Sequence, residues 1–211
     1  MVLESLINPA KAEKTPARLT LFGLLYASLG ILLGLWVFRT YASMIFVFLA
    51  AMAAVPLMYN TIKYEEKKDL QDLSEKRLLK EHGKALSSFM YLFLGMTLAC
   101  VLWYTILPSG TVSTLFESQT STINAINGSI TGLFTADQFQ VFTKIFLNNV
   151  KVMIFCALFS LLYGAGAIFI LTWNASVIGT AIGNFIRQNL AAIASRVGAS
   201  KAAMYFQIVA I

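Results

Sequence analysis

Four long runs of apolar residues divide the chain, and the polar residues are gathered between the runs rather than scattered. The runs cover residues 19–38, 41–59, 85–107 and 152–171, and none of them contains Asp, Glu, Lys or Arg. A helix rises ~1.5 Å per residue, so ~20 residues cross the ~30 Å hydrocarbon core of a bilayer. Because a backbone in lipid must satisfy its own hydrogen bonds, the pattern predicts four transmembrane helices.

The composition agrees with this pattern. Of the 211 residues, 58% are hydrophobic and 12% are charged, whereas soluble domains are ~45–50% apolar and ~25% charged. This difference excludes a soluble globular enzyme and a disordered protein, and it argues against a nucleic-acid binder although the net charge is +6. We expect an all-α, polytopic transmembrane bundle, a single integral-membrane domain over 1–211, with at least four spans and additional interfacial or re-entrant helices.

The distribution of basic residues predicts the orientation. Thirteen of the 16 Lys and Arg residues lie on one predicted side of the membrane. Seven of them are in segment 60–84. The other six are in the N-terminal tail and the C-terminal stretch: Lys11, Lys14, Arg18, Arg187, Arg196 and Lys201. Basic residues favour the cytoplasmic side. We therefore expect a multi-pass plasma-membrane protein with a cytoplasmic N-terminus, a cytoplasmic charged helix at 60–84 and an external loop at 108–143.

The charged segment and the cysteines suggest little chemistry. Segment 60–84 could be a solvated helix on the base of the bundle or a docking helix for a cytoplasmic partner. His82 is the only histidine, and without nearby metal-ligating residues it is predicted to be a surface residue. Cys100 and Cys156 lie inside apolar runs and are predicted to be inert packing thiols. We expect no metal and no cofactor.

The external connection contains two further patterns. Asn127-Gly128-Ser129 matches the N-glycosylation acceptor pattern, which is short and often occurs by chance. Thr135 and Gln138 resemble a capping box, and a stripe of aromatic residues follows, which predicts an amphipathic helix at 136–147 in the outer interface. That helix would meet the fourth span at Asn148 and Asn149. One of these amides could orient the helix over the bundle, or the pair could contact a substrate or a lipid headgroup.

Small residues recur four positions apart in several places. Such spacing lets helix backbones approach closely in lipid, where little hydrophobic force acts between helices. Packing within one chain and a homodimer face are both compatible with it. The candidate positions are Gly30, Gly34, Gly164, Gly166, Gly179 and Gly183.

After the fourth run the pattern changes. Trp173 and Asn174 are expected to end the helix, with Asn174 a third candidate polar position. The apolar stretch 175–186 is too short to span a bilayer and suggests a re-entrant or interfacial helix. A new apolar run occupies 202–211, and we expect it to be the start of a further span.

The stretch Phe146–Lys151, followed by Tyr163-Gly164-Ala165-Gly166-Ala167 and Trp173-Asn174-Ala175, resembles the stage II sporulation protein M family. The shared features are a paired Asn, a Gly-rich fourth-span core, and an Asn followed by a Gly-spaced apolar helix. The resemblance is specific over about 145–211 and extends to 1–144 only in layout. It implies a polytopic membrane protein; in spore formers the family member anchors an engulfment complex that remodels the cell wall with partner hydrolases.

Two classes of function remain open. The chain lacks the sequence motifs of phosphate-binding loops, zinc proteases and serine hydrolases, so we expect no enzymatic activity. The first class is a membrane scaffold or anchor for partner proteins in the membrane or on either face. The alternative is a permease-like subunit of a transport system served by a separate ATPase. We also expect contact with membrane lipids, possible homo-oligomers, and no nucleic acid.

Overall fold

The computed structural model describes residues 15–69, 75–131, 138–163 and 166–206. Throughout this part of the chain the secondary structure is helical, with no strand. The described residues form a 3-10 turn at Arg39–Tyr41 and eight α-helices: α1 Arg18–Val37, α2 Ala42–Asp69, α3 Glu75–Ile106, α4 Ser109–Leu115, α5 Glu117–Thr131, α6 Gln138–Tyr163, α7 Gly166–Arg196 and α8 Ser200–Phe206. The all-α prediction is confirmed.

Within the described ranges, four stretches of helix are long and apolar enough to cross a membrane. They are Arg18–Val37, Arg39–Lys68, His82–Ile106 and Gly166–Arg196. The first three coincide with the first three apolar runs of the sequence. By length and composition, the fold is therefore that of a multi-pass helical membrane protein, as predicted.

The fourth apolar run is divided between two helices. Helix α6 ends at Tyr163 and α7 begins at Gly166, so the expected span 152–171 does not coincide with one helix. The prediction that a helix ends at Asn174 is wrong, because α7 continues to Arg196 and contains all of 175–186. The Asn174 amide donates to the Ile170 carbonyl at 2.8 Å, within its own helix. Its polarity is thus satisfied locally and does not interrupt the helix.

The charged segment also belongs to two helices. Helix α2 extends to Asp69 and α3 begins at Glu75, so 60–84 holds the ends of both helices; residues 70–74 lie outside the described chain. The Glu65 carboxylate lies 2.7 Å from the Lys68 ammonium and 2.9 Å from His82 Nδ1. The Glu65–His82 contact joins α2 to α3 at this end of the bundle.

Helices α1 and α3 cross with their backbones in contact. A Cβ atom added to Gly95 would collide with the Thr20 carbonyl, and one added to Gly23 would collide with the Leu92 carbonyl. The clash would be with main chain, which cannot rotate away as a side chain can. Further along the same pair, Trp103 Nε1 donates to Ser28 Oγ at 3.0 Å. This parallel pair forms the centre of the bundle.

The predicted glycine positions pack within the chain wherever the structure reports their contacts. On α1, a Cβ at Gly30 would lie 2.6 Å from the Phe46 carbonyl of α2, and Gly34 faces the same helix. On α7, a Cβ at Gly179 would lie 2.9 Å from the Thr97 carbonyl of α3, and Gly183 rests on Tyr104. Gly166 is the first residue of α7. Gly164 lies outside the described residues.

Helix α7 runs in the same direction as α3. Thr172 is next to Met96, with 3.6 Å between Oγ1 and Sδ, and about four turns further along α7 Arg187 reaches the Leu107 carbonyl. The C-terminal part of α7 therefore lies where α3 ends, at the opposite end of the bundle from 60–84. The expectation that the C-terminal basic residues share a side with 60–84 is thus wrong; these residues are Arg187, Arg196 and Lys201.

The expected external loop 108–143 contains ordered helices. Helices α4 and α5 and the first turns of α6 all lie in it. Pro108 has no N–H and disfavours helix in the residue before it, and α3 ends just before Pro108. The Pro108 carbonyl accepts the Thr111 N–H at 2.9 Å. Leu115 and Phe116 are fully buried. The start of this segment is packed into the bundle rather than looped over it.

Candidate functional site

Most buried hydroxyl groups of the described chain have partners within their own helix. Thr61, Thr97, Thr172 and Thr180 each donate to the main-chain carbonyl four residues earlier, at 2.7–2.9 Å. Such bonds satisfy the hydroxyl without joining two helices. Apart from the Thr172–Met96 contact, the buried polar groups that join elements in the described chain lie together at the end of the bundle where α3 finishes.

Arg187 is the largest fully buried side chain, at 0% exposure. Its guanidinium donates only to main-chain carbonyls of the described residues: Nη1 to Tyr104 at 3.0 Å and Leu107 at 2.5 Å, Nη2 to Tyr205 at 2.6 Å, and Nε to Phe206 at 3.4 Å. The first two carbonyls are at the end of α3 and the last two belong to α8. One side chain thus joins two helices that are far apart in sequence.

The positive charge of Arg187 is balanced by dipoles. Among the residues that the structure describes, none of its partners is a carboxylate. The C-terminal end of a helix carries a partial negative charge on its free carbonyls, and Arg187 faces the end of α3; its other acceptors are the Tyr205 and Phe206 carbonyl dipoles of α8. The rings of Tyr205 and Phe206 lie 5.6 and 5.9 Å from its Cζ, which adds a favourable interaction with their π faces.

A second polar cluster joins α2, α5 and α7 around Gln119, which is 0% exposed. Its Nε2 donates to the Ser43 carbonyl at 3.1 Å and to Ser176 Oγ at 3.2 Å. Because a carbonyl can only accept, the nitrogen must face Ser43. The neighbouring Ser118 and Ser43 hydroxyls are 2.7 Å apart. These bonds fasten the start of α5 between two long helices.

The amide oxygen of Gln119 is buried and has no hydrogen-bond donor among the described residues. A buried acceptor without a donor costs about 1–3 kcal/mol. Such an atom in a native protein calls for a specific explanation. It makes Gln119 the most unusual uncharged polar group of the described bundle.

Aromatic rings connect the two polar groups. Phe116, between α4 and α5, has its ring centroid 5.6 Å from that of Phe46 and 5.1 Å from that of Tyr104. The Tyr104 carbonyl in turn accepts from Arg187. The candidate site therefore comprises Arg187, Tyr104, Phe116 and Gln119.

The polar positions chosen from the sequence lie elsewhere. Asn174 is half-buried and bonded within its helix. Asn149 is exposed in the middle of α6, and the side chain of Asn148 lies outside the description. Helix α6 is unbroken from Gln138 to Tyr163, so the expected junction between an interfacial helix and a span at Asn148 is wrong.

Sequence reasoning missed Arg187 because it counted this residue only as a flanking basic charge. A usable signal was present. Ala175, Gly179, Gly183 and Arg187 follow one another at intervals of four, and residues four apart share a helix face. Since the small residues predict contact with another helix, Arg187 had to face the same neighbour.

The described residues contain no group of three or more His, Cys, Asp or Glu side chains that could hold a metal ion. Cys100 is a buried free thiol and packs among the residues of the Tyr104 cluster. In the candidate site, Arg187 donates hydrogen bonds to main-chain carbonyls. The Gln119 amide oxygen is available as an acceptor.

The fold and this site define a class, the multi-pass α-helical membrane proteins with polar groups buried within the bundle. Residues 44–200 match the family model described as stage II sporulation protein M. The match covers most of the chain, and the chain belongs to this family. No curated protein and no solved structure matches it.

Gln119→Ala should lower the stability of the bundle, because it removes two bonds between elements and leaves a cavity. We expect a loss of about 1–3 kcal/mol, measured by thermal unfolding in mild detergent. Gln188→Ala is the matched control, since Gln188 is exposed and bonds only to Asn184 of the same helix. Equal melting of the two variants would show that the Gln119 cluster does not fasten α5.

Proposed function

We propose that the chain is a non-catalytic membrane scaffold that anchors partner proteins. The supporting observation is the backbone contact of α1 with α3 at Gly23 and Gly95, which leaves no room for a passage between these helices. The interior beside them is filled by apolar side chains that are at most 2% exposed: Leu19, Ile31, Leu92, Met96 and Ile168. A closely packed bundle suits a static anchor.

The buried charge agrees with the same proposal. Ionisable groups inside membrane proteins often mark ion or substrate pathways. Arg187, however, has its guanidinium bonded to four carbonyls of its own chain. A group so bound supports a structural role, and binding of partners is then the work of the exposed surfaces.

One observation favours the alternative, a permease-like subunit served by a separate ATPase. Thr172, Ser176 and Thr180 form a polar line along one face of α7, and this line leads to the Gln119 amide. The Gln119 oxygen without a donor could accept from a passing solute. This second function requires the α5–α7 contact to open.

Purification of the affinity-tagged chain from its native membrane in mild detergent separates the two functions. The scaffold proposal predicts partner proteins at fixed stoichiometry and no ATP hydrolysis above that of an untagged mock preparation. The permease-like alternative predicts a co-purifying ATP-binding subunit and vanadate-sensitive ATP hydrolysis. Recovery of the chain alone, with neither partners nor hydrolysis, would contradict the scaffold proposal.

We further propose that the protein lies in the plasma membrane with Arg18 and the 60–84 end in the cytoplasm. Ten of the 16 basic residues lie in the N-terminal tail or within 60–84, against four that belong to the opposite end. Since α3 and α7 are parallel, the chain must return across the membrane between Pro108 and Gly166. Helix α6, with 26 residues, is about 39 Å long and is long enough to do so.

Thiol labelling of intact cells tests this orientation. In a chain with Cys100 and Cys156 replaced, Ser113→Cys and Val197→Cys should react with an impermeant reagent, and Lys80→Cys only after permeabilisation. All three side chains are exposed. Labelling of Lys80→Cys in intact cells would reverse the orientation, and different sidedness of positions 113 and 197 would contradict the parallel path of α7.

A further inference from the structure

We propose that Arg187 is a clasp that docks the segment 199–206 on the end of α3 through main-chain carbonyls, and that this segment can be released while the bundle beneath it stays folded. The segment, here called the strap, consists of Ala199 and helix α8. It follows the turn at Gly198, whose φ is +77°. Glycine adopts this conformation without strain, so the chain can reverse there and lay the strap back along α7.

Pro108 leaves a carbonyl at the end of α3 without its usual helical hydrogen-bond donor. Within a helix, the Tyr104 carbonyl would accept the N–H of the residue four positions later, which is Pro108 and has no N–H. The carbonyls at a helix end need donors from elsewhere when they are buried. Arg187 Nη1 supplies them to Tyr104 and Leu107. The Tyr205 hydroxyl donates to the Ile106 carbonyl between them.

The other edge of the guanidinium holds the strap. Nη2 and Nε face the carbonyls of two successive residues, Tyr205 and Phe206. Arginine can donate through these two nitrogens to both oxygens of one carboxylate. In this protein, the carbonyl oxygens of two adjacent residues accept these two bonds instead. Because every acceptor of the guanidinium is main chain, this contact does not depend on the side chains of the strap; the Tyr205 hydroxyl adds one side-chain bond to the end of α3.

The two halves of the contact differ in what else supports them. On the α3 side, the helix is also held by Gly179 and Gly183 of α7 and by its crossing with α1. The strap, as far as the structure describes it, is the helix Ser200–Phe206; Met204 and Tyr205 are exposed on it, and besides the clasp the Tyr205 hydroxyl bonds it to the Ile106 carbonyl. Loss of the clasp should therefore free the strap and leave the helices beneath it in place.

Distance measurement between spin labels tests the clasp. Labels are attached at Leu94→Cys on α3 and Met204→Cys on the strap, both exposed, in the full chain with Cys100 and Cys156 replaced. The unaltered strap should give one narrow distance distribution by double electron–electron resonance. Arg187→Gln should broaden it severalfold, whereas a second label pair at Leu94→Cys and Ile182→Cys should stay narrow.

Two controls complete the experiment. Arg196→Gln removes the same charge from an exposed position of the same helix and should leave the strap distribution narrow. The double variant Lys201→Gln, Phe206→Leu changes two side chains of the strap but keeps its carbonyls and the Tyr205 hydroxyl, and it too should stay narrow. A narrow strap distribution in Arg187→Gln would overturn the proposal, and so would a broad one in the double variant. If Arg187→Gln does not fold, the double variant decides alone.

Discussion

Contact between two backbones, at Gly23 of α1 and Gly95 of α3, sets the geometry on which the rest of the structure depends. Lipid gives little hydrophobic force between helices, so association relies on close packing and on hydrogen bonds between them. The crossing aligns α1 and α3 in parallel and allows Trp103 to bond to Ser28. It also presents the far face of α3 to the small residues of α7, which brings Arg187 to the end of α3.

The large features of the fold were predictable because lipid restricts them strongly. The first three spans follow from run length alone, and Gly30, Gly34, Gly179 and Gly183 were recognised from their spacing. Gly23 and Gly95 were not, although each has an alanine four positions later, Ala27 and Ala99. Which of these small residues touch each other depends on the relative position of two helices, which no local pattern specifies.

The candidate site was less predictable, for two physical reasons. The apolar run at 152–171 contains no charge to mark a boundary, and an amide such as Asn174 can bond within a helix, so neither feature reveals where α6 and α7 divide. Arg187 was judged by its charge and its place after an apolar stretch. Its burial depends on carbonyls at the end of α3 that lack helical donors next to Pro108 and on carbonyls of α8, and these groups are far from one another in sequence.

The most direct test of the account is a stability comparison of three alanine substitutions at glycines, measured by thermal unfolding in detergent. Gly95→Ala and Gly23→Ala should each destabilise by about 1–3 kcal/mol, because an added methyl group meets main chain. Their double variant should differ from the sum by at least about 0.5 kcal/mol, since both act on one crossing. Gly83→Ala, also on α3 but with open space around it, should be neutral or stabilising by about 0.5–1 kcal/mol. If Gly95→Ala melts like Gly83→Ala, the two backbones do not touch and the account is contradicted.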